Sequence, residues 1–572
     1  MKKRTSKRAG QRILLQGATG ISLLTLASRS SAAPVPAQNA RPNIVFIYAD
    51  DLGWGDLAVN GNTNVFTPNL DKLASEGMNF YQFTVNNPVC SPSRVALLTG
   101  NFPSRFGVHQ HFASPAENQK RGMPDWLDPE AVTLPKVLKQ AGYATAHYGK
   151  WHLCLAGAGQ GAPQYPAYGY DDAAVFAWAG PETRSVFDGT SVESKKGEAH
   201  EGEAPAYLTI AAVENTLKFI EAHKDKPFFI NLWIMETHSL IVARPEDRVP
   251  YKDVPEPEQT YYAAVTRADT QVGLVLKKLD ELGLKDNTIV IFSSDNGPEH
   301  PLEDPAKPLM YYSRGSTGGM KGQKRSLYSG GVCTPFLIRW PGRVPVGKID
   351  ENTMLSAVDM LPTLAAAAGV KQLPAGYQGD GENMLPALLG KPMDRSQPLF
   401  WKWNGDHSGD NWPAYAMRDN RWVFLISEDR RRIELYDVIA DRDQKNNLSA
   451  QESERTKRMQ AVVEQWVETL PKTIPARLTV GGQAQSAPAP ASAVAVKVRQ
   501  SPSNNPVQDQ SVGRTELFKK LDADKDGFVS FTEFLGARKD DPAASLRQRY
   551  DSFDTNKDGK LTEQEFVSAG KK

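Results

Sequence analysis

Two strand-length apolar runs, each followed directly by acidic residues, constrain the fold of this chain most strongly; they cover residues 43–48 and 288–293. Apolar runs without polar alternation are typical of strands that are buried on both faces of a parallel sheet. Between them lie a third such run, 228–233, and four segments with helical apolar spacing, 70–77, 134–142, 207–223 and 261–283. This alternation predicts an α/β domain with a doubly wound, mostly parallel sheet, whose functional groups gather at the carboxyl ends of the strands.

Length and charge limit the classes of protein to which the chain can belong. Its 572 residues exceed one ordinary core, so we expect several domains. Its 67 Lys and Arg residues balance 66 Asp and Glu residues, which gives no general attraction to nucleic acid or to membranes. Its three cysteines are too few for a disulfide framework in a protein of this size.

Residues 1–40 have the pattern of an export signal and leader: a basic start, a mostly apolar stretch over residues 13–27 and a small-residue end. The sequence therefore predicts an exported protein, periplasmic or secreted. General secretion is the default, and twin-arginine-type export stays open because Lys-Arg pairs precede the stretch. The apolar run is too short and too interrupted to remain as a stable membrane anchor.

The pattern changes after about residue 395, where short alternating strands (421–426 and 432–436) precede a helix over 452–470. These elements predict a small antiparallel α+β subdomain. A stretch rich in Ala, Pro, Ser and Gln then predicts a flexible linker. The predicted boundaries are 41–394 for the main domain, 395–480 for the subdomain, 481–512 for the linker and 513–572 for a separate helical module.

Cys90 stands in the sequence Cys-Ser-Pro-Ser-Arg, which is followed by Leu98-Thr99-Gly100. The segment follows an extended run and opens a predicted helix, so Cys90 should lie near a helix N-terminus, where backbone N–H groups favour an anion. Arg94 adds a cation close by. The pattern indicates a nucleophile beside an anion-binding group, whereas the alternative is a buried structural cysteine.

Two pairs of oxygen-bearing side chains follow the first and last apolar runs: Asp50 with Asp51, and Asp295 with Asn296. At adjacent strand ends they would form a site for a hard cation, calcium or magnesium rather than zinc. Each pair taken alone could instead be a cap or a turn.

Four basic side chains also fall at predicted strand ends or loops, namely Lys150, His152, His238 and Lys324. Any one of them taken alone would usually be a surface residue or a satisfied polar residue. Together they predict a basic pocket for a tetrahedral dianion.

The Cys90 segment resembles the formylglycine signature C-x-P-S-R-x-x-x-x-T-G of the type I sulfatases, a family of the alkaline phosphatase superfamily. Further segments resemble that family's landmarks in its order, over residues 41 to about 448: 41–56, 67–74, 149–152, 295–297, 340–342 and 434–437. The resemblance implies that residues 41–394 form a sulfatase catalytic domain. It also implies that a formylglycine-generating enzyme oxidises Cys90 to 3-oxoalanine (formylglycine) during biosynthesis.

By this resemblance, the hydrate of that aldehyde attacks sulfur and gives a covalent sulfo-enzyme. One calcium ion is held by an oxygen of the residue derived from Cys90 together with Asp50, Asp51, Asp295 and Asn296. The metal and Arg94 stabilise the attacking alkoxide.

The resemblance also implies roles for the four basic residues. Lys150, Lys324 and His238 bind the sulfate oxygens, and either His238 or Lys324 protonates the leaving alcohol. His152 then takes a proton from the second hydroxyl and so expels sulfate.

One segment departs from the family pattern. The family often has Tyr-Glu-Gly-Gly-x-Arg-Val-Pro where this chain has residues 328–335 with Ser329 and Cys333, so a carboxylate and an arginine are missing together. We expect an effect on local packing or substrate preference rather than on the chemistry.

The C-terminal module contains two segments with the spacing of EF-hand calcium loops, each with a glycine at the sixth position for the sharp turn. The expected ligands of the two ions are Asp522, Asp524, Asp526, Phe528, Ser530 and Glu533 in the first loop, and Asp554, Asn556, Asp558, Lys560, Thr562 and Glu565 in the second. We expect a structural or docking module that folds on calcium, with an acidic disordered tail as the alternative.

The sequence thus predicts an exported, calcium-dependent sulfatase, a sulfuric ester hydrolase whose substrate is a sulfated carbohydrate. A phosphonate or phosphodiester hydrolase of the same superfamily is one alternative. A non-catalytic calcium- and glycan-binding protein is the other.

Overall fold

The computed structural model describes residues 41–154, 162–176, 186–187, 190–191, 204–405, 412–482 and 485–486, and separate positions between 519 and 564. The predicted export signal and most of the predicted linker lie outside these residues. The chain divides into two compact units, residues 1–492 and 493–572. Within the described part of the chain, no helix combines the length and apolar character that crossing a bilayer requires.

The strands of the first unit are listed in chain order: β1 (Asn43–Ala49), β2 (Met78–Phe80), β3 (Phe83–Thr84), β4 (Ala144–Lys150), β5 (Asp172–Phe176), β6 (Val186–Phe187), β7 (Thr190–Ser191), β8 (Phe228–Trp233), β9 (Thr288–Ser294), β10 (Phe336–Arg339), β11 (Lys348–Asp350), β12 (Leu355–Ser356), β13 (Leu399–Lys402), β14 (Tyr415–Asp419), β15 (Trp422–Ile426), β16 (Ile433–Asp437), β17 (Thr473–Ile474) and β18 (Gln485–Ser486).

The α-helices of this unit are α1 (Pro68–Ser75), α2 (Cys90–Thr99), α3 (Pro115–Lys120), α4 (Leu134–Gln140), α5 (Ala204–Ala222), α6 (Pro245–Arg248), α7 (Glu258–Glu281), α8 (Pro308–Tyr311), α9 (Ser329–Val332), α10 (Met360–Ala367), α11 (Leu385–Leu388) and α12 (Ser453–Glu468).

Ten strands form one large sheet in the order β11-β2-β10-β9-β1-β8-β4-β5-β6-β7. The strands β9, β1, β8, β4 and β5 are parallel neighbours, whereas β10 runs antiparallel to both β9 and β2. The predicted doubly wound, mostly parallel sheet is confirmed. Because the parallel strands end at one edge, the loops that follow them meet there.

The central strand β1 shows why both faces of the sheet are covered. Successive strand side chains point to opposite faces, and those of β1 alternate between two separate apolar clusters. Ile44, Phe46 and Tyr48 belong to the cluster that includes α2, α4 and α10. Val45 and Ile47 belong to the cluster that includes α1, α5 and α7.

The strands β13 to β16 form a four-stranded antiparallel sheet in sequential order, which confirms the predicted small subdomain. The helix α12 packs on this sheet, where the Trp466 ring stacks on Phe400 with centroids 4.9 Å apart. Trp466 also meets Phe102, which precedes the subdomain by about three hundred residues, at 6.0 Å. The subdomain therefore shares the core of the main domain on the face that carries α2.

The second unit contains the short strands β19 (Phe528–Ser530) and β20 (Lys560–Thr562), which pair antiparallel so that Val529 lies opposite Leu561. Both side chains are buried in a small apolar cluster with Leu521 and Tyr550. The Tyr550 hydroxyl donates to the Val529 carbonyl at 2.7 Å. These contacts tie the two predicted loops to one core.

Candidate active site

Three charged side chains lie at the carboxyl ends of adjacent strands. Asp50 directly follows β1, Asp295 directly follows β9, and Lys150 is the last residue of β4. The strands β9, β1, β8 and β4 are consecutive in the sheet, so these groups, far apart in sequence, converge at one edge. All three side chains are fully buried.

Cys90 is the first residue of α2, and the preceding Val89 has the extended conformation of an N-cap. All ten residues of this helix are buried. Arg94 lies four positions later, on the same face one turn along. The helix therefore points its N-terminus, Cys90 and Arg94 at the edge of the sheet where the charged groups meet.

The Cys90 thiol lies between a carboxylate and an ammonium group. Its Sγ is 3.4 Å from Asp50 Oδ1 and 3.4 Å from Lys150 Nζ. Burial, followed by the charge of Asp50, raises the thiol's pKa well above its ordinary value, although Lys150 opposes the effect. An unmodified Cys90 therefore stays a neutral thiol, which is a weak nucleophile.

Arg94 joins the helix to both acidic strand ends. Its Nη2 is 2.5 Å from Asp295 Oδ2 and 3.4 Å from Asp50 Oδ2. The guanidinium also lies over the ring of Trp233, 4.7 Å from its centroid. Because carboxylates and ring hold it from several sides, Arg94 has little freedom to move.

Asp51 connects the carboxylates to the predicted basic pocket. Its Oδ1 accepts a hydrogen bond of 2.7 Å from Asn296 Nδ2, and its Oδ2 is 2.5 Å from Lys324 Nζ. His238 Nε2 lies 3.8 Å from the same Oδ2. Lys324 is also paired with Glu299, at 3.3 Å from Oε2.

The donor set fits a hard cation. One potential ligand atom from each of Asp50, Asp51, Cys90 and His238 lies within 4.8 Å of the others. The buried Oδ1 of Asn296 accepts no hydrogen bond from the described residues. Buried carboxylate and amide oxygens without enough donors are the ligands that calcium and magnesium prefer. Within this group, His238 is the residue that the family resemblance implied would bind sulfate rather than the metal.

His152 follows β4 closely, but its backbone is not extended as the simple strand argument assumed, because its φ is 50°. Its Nε2 is 3.2 Å from the Phe112 carbonyl, which can only accept, so Nε2 carries the proton and Nδ1 keeps the lone pair. Burial and the nearby Lys150 lower the pKa of His152 well below its ordinary value. The ring is therefore neutral, with its lone pair on Nδ1.

Three further polar residues at this site escaped the sequence argument. Glu299 is 3% exposed and contacts Lys324 as well as Arg325. Although burial opposes the change, these two cations lower its pKa to about 2. The His111 ring lies 6.2 Å from that of His152. The available signals were weak: Glu299 follows Asn296 in the same loop, and Arg325 follows Lys324.

At the two positions that depart from the family pattern, Ser329 and Cys333, the hydrogen bonds are made with uncharged groups. Cys333 Sγ lies 3.4 Å from the Tyr81 carbonyl and packs with Trp54 and Met320. The backbone N–H of Ser329 donates to Gln444 Oε1 at 2.7 Å. All three cysteines are buried and none forms a disulfide.

The two loops of the second unit present a different kind of site. Carboxylate oxygens of Asp522, Asp524 and Asp526 can approach within 4.8 Å of one another, and the latter two residues are exposed. The Phe528 N–H donates to Asp526 at 2.9 Å, and the Lys560 N–H donates to Asp558 at 2.9 Å.

The remaining predicted ligands of these loops divide into two groups. Described positions are Ser530, Asp554, Asn556 and Thr562, whereas Glu533 and Glu565 lie outside the described residues.

Comparisons with protein families cover most of the chain. A family described as Sulfatase matches residues 42–370, and one described as N-sulphoglucosamine sulphohydrolase, C-terminal, matches residues 321–473. A family described as EF hand matches residues 514–535 and 551–568.

Individual proteins are similar to two thirds or more of the chain. N-acetylgalactosamine-6-sulfatase of Canis lupus familiaris is 32% identical over 420 residues, which cover 68% of this chain and 73% of the relative. N-acetylgalactosamine-6-O-sulfatase of Bacteroides thetaiotaomicron is 29% identical over 514 residues, 78% of this chain and 97% of the relative. Among solved structures, Ps i-CgsB in complex with k-i-k-neocarrahexaose aligns with a TM-score of 0.64 at 27% identity, over 74% of this chain and 92% of that one.

Proposed function

This chain belongs to the sulfatase family and is a sulfuric ester hydrolase, and from that premise we propose that it removes sulfate from a sulfated carbohydrate. The observation that carries the proposal is the buried cluster in which Cys90, at a helix N-terminus, contacts Asp50 and Lys150. The relatives' names support a carbohydrate, because two are N-acetylgalactosamine sulfatases and one solved structure holds k-i-k-neocarrahexaose.

We propose that Cys90 is oxidised to formylglycine by a formylglycine-generating enzyme. In its hydrated form this group would supply the oxygen nucleophile that attacks the sulfur of the ester. Two features of the chain support the proposal. The Cys90 thiol is held neutral by burial and by Asp50, so it is poorly suited to attack. Arg94 and Lys150 place two cations around the side chain, where they favour an anionic oxygen over a neutral one.

We also propose that Asp50, Asp51, Asp295 and Asn296 hold one calcium ion with an oxygen of residue 90. The ion would supply positive charge beside the nucleophile. Support comes from the unsatisfied Asn296 oxygen and from Asp295, whose pKa is raised to about 7 by burial and by Asp50. A bound cation would favour the ionised form of these crowded carboxylates.

The four basic residues of the site are assigned to sulfate binding and to proton transfer. Lys150 and Lys324 are buried cations, and carboxylates raise the pKa of both, so each keeps its proton and can bind sulfate oxygens. His238, beside Asp51, is placed to bind the same group. Either His238 or Lys324 donates the proton that the leaving alcohol needs, and neutral His152 accepts the proton that is released when sulfate departs.

Export and the second unit complete the proposal. We infer that the chain is exported, that residues 1–40 are its export signal and leader, and that the catalytic domain starts at residue 41. The domain boundaries at 395, 481 and 513 belong to the same proposal. The two C-terminal loops would each bind one calcium ion and serve as a structural or docking module rather than as a sensor.

The decisive experiment is mass spectrometry of the tryptic peptide that ends at Arg94, from protein made with a formylglycine-generating enzyme. The proposal expects an aldehyde in place of CH2–SH at Cys90, together with turnover of sulfate esters that exceeds turnover of phosphate diesters. Cys90→Ala should abolish turnover, whereas Cys154→Ala, at another buried free cysteine, should retain it. An intact thiol in active protein would contradict the proposed nucleophile. Preferential hydrolysis of phosphate diesters would favour the phosphodiesterase alternative.

A further inference from the structure

A cavity of about 740 Å³ lies beside the cluster described above, with Lys324 in its wall. Its described lining contains two cations and an imidazole, namely Lys324, Arg325 and His300, and includes no acidic residue. A cavity of this size can hold a sugar unit and its substituents. Its lining favours a ligand that carries negative charge.

Lys324 joins this cavity to the proposed sulfate site. Its ammonium group reaches inward to Asp51 at 2.5 Å, and its side chain is only 5% exposed. The next residue, Arg325, belongs to the same wall, but its side chain is 34% exposed. A substrate whose sulfate reaches Lys324 therefore places its neighbouring atoms near Arg325.

The position of Arg325 is strongly determined by its surroundings. Its backbone has φ of 68°, a left-handed conformation that is uncommon for a residue with a Cβ. Its N–H donates to the Pro88 carbonyl at 2.9 Å, and its Nη1 is bonded to Glu299. The backbone is thus held in an uncommon form that sets a partly exposed guanidinium at the cavity wall.

The charges around Arg325 do not cancel within the cavity. Glu299 is buried and contacts both Lys324 and Arg325, and Asp51 also contacts Lys324, but neither carboxylate lines the cavity. The positive charge of the two cations is also felt across the site. At His111, burial acts together with Arg121, Lys324 and Arg325 to lower the pKa to about 3.

We propose that Arg325 binds a second anionic group of the substrate, so that the preferred carbohydrate carries another sulfate or a carboxylate close to the sulfate that is removed. The proposal rests on the proposed function, because it assigns the cavity to the sugar of the same ester. A planar guanidinium binds either oxyanion with paired hydrogen bonds. Arg325 is a specificity-determining residue and takes no part in the chemical step.

The first test compares kcat/KM for three esters on the full chain: 4-methylumbelliferyl sulfate, N-acetylgalactosamine 6-sulfate and N-acetylgalactosamine 4,6-disulfate. A fourth ester, glucuronate linked to N-acetylgalactosamine 6-sulfate, distinguishes a carboxylate from a second sulfate. Arg325→Gln should lower the preference for a doubly anionic sugar over the aryl sulfate by about 10- to 100-fold. Arg325→Lys should keep part of the preference for doubly anionic sugars, because it keeps the positive charge. Arg343→Gln, at an exposed arginine that packs on Trp340, is the matched control and should leave the preference unchanged.

The second test measures binding of the same sugars to Cys90→Ala protein by calorimetry, so that it does not depend on turnover. Arg325→Gln in that background should weaken binding of the doubly anionic sugars about tenfold or more, and binding of the singly sulfated sugar much less. An equal loss for every ligand would show that Arg325 only supports Glu299 and Lys324, and would overturn the proposal. The proposal would also be overturned if the wild-type protein showed no preference for doubly anionic sugars over the singly sulfated sugar. Selective binding without hydrolysis of any ester would contradict the proposed function alone.

Discussion

The two candidate cation sites of this chain are built in opposite ways. In the first unit, Asp50 and Asp295 are fully buried and come from strands that lie far apart in sequence. In the second unit, Asp524 and Asp526 are exposed and stand two positions apart on one loop. The first site is thus assembled by the whole fold, and the second by a short segment.

This difference determines what each site needs from its cation. The ligands of the first site are fixed by the parallel pairing of β1 with β9 and by Arg94. Among the described residues of the second unit, a small apolar cluster surrounds Val529 and Leu561, and backbone N–H groups of the loops donate to Asp526 and Asp558. We therefore expect calcium to serve activity in the first unit and folding in the second.

Replacing Arg94, the buried arginine of the first site, should have the largest effect. In Arg94→Ala, Asp50 and Asp295 lose their shared partner, which should cost about 3–5 kcal/mol of unfolding free energy. The same change should lower kcat/KM by about 10³-fold or more. Chemical denaturation and turnover of an aryl sulfate measure the two effects.

The matched control for this variant is Arg105→Ala, because Arg105 pairs with Asp380 while its side chain is 37% exposed. It should cost no more than about 1 kcal/mol, as exposed ion pairs usually do. Equal losses in the two variants would contradict the view that the first site depends on buried charge.

The two sites also differ in how far the sequence could predict them. The loop ligands follow from spacing alone, because one segment supplies them all. Cys90 and Arg94 were likewise predicted to lie close together because both belong to one short segment at the start of a predicted helix. To predict that Asp50 and Asp295 converge, a parallel sheet had to be inferred first. The two apolar runs that precede these residues allowed that inference.

Contacts between separate elements could not be predicted. The pairing of Lys324 with Glu299 depends on how two loops fold back over the sheet edge, and the packing of Arg94 on Trp233 depends on how α2 docks against β8. No periodicity in the sequence encodes either arrangement. Element ends were imprecise for a related reason. The helix α7 begins at Glu258 rather than at residue 261, because its polar first turn lacks the apolar spacing used to find it.

Calcium removal should separate the two units. All eleven tryptophans precede residue 493, so their fluorescence reports on the first unit alone. With a chelator, we expect lost turnover and nearly constant tryptophan emission, while proteolysis after residue 513 becomes much faster. Calcium at a hundred times its Kd would stabilise the second unit by about 2.7 kcal/mol per site. Cooperative loss of the tryptophan signal, with the C-terminal segment still protected from proteolysis, would show that calcium supports folding of the first unit rather than of the second.

Disabling the loops by mutation should have a smaller effect on catalysis. The double variant Asp522→Ala, Asp554→Ala removes the first ligand of each loop and should abolish calcium binding by the second unit. Because the two units are compact separately, kcat/KM on an aryl sulfate should change by less than about twofold. Calcium titration calorimetry and steady-state kinetics test this. A drop in turnover comparable with that of Arg94→Ala would show that the second unit supports the active site.

The last expected difference between the two units concerns acid stability. All nine histidines precede residue 493, so a histidine effect on stability should appear in the first unit and not in the second. His147 is buried among Trp151, Tyr170 and Trp233, and burial lowers its pKa to about 3. Below the ordinary histidine pKa of about 6.5, the unfolded chain takes up a proton that the folded chain refuses. Stability is therefore highest above that pH and falls as pH drops toward about 3.

His147→Gln should reduce by one the number of protons that the chain takes up on unfolding in this pH range. The slope of unfolding free energy against pH, measured by denaturation between these limits, should decrease by as much as about 1.4 kcal/mol per pH unit. The slope is informative even if lost aromatic packing weakens the variant at every pH. His223→Gln, at the half-buried end of α5, serves as the control for a general effect of removing a histidine. An unchanged slope in His147→Gln would mean that other groups cause the acid sensitivity of the buried sheet edge.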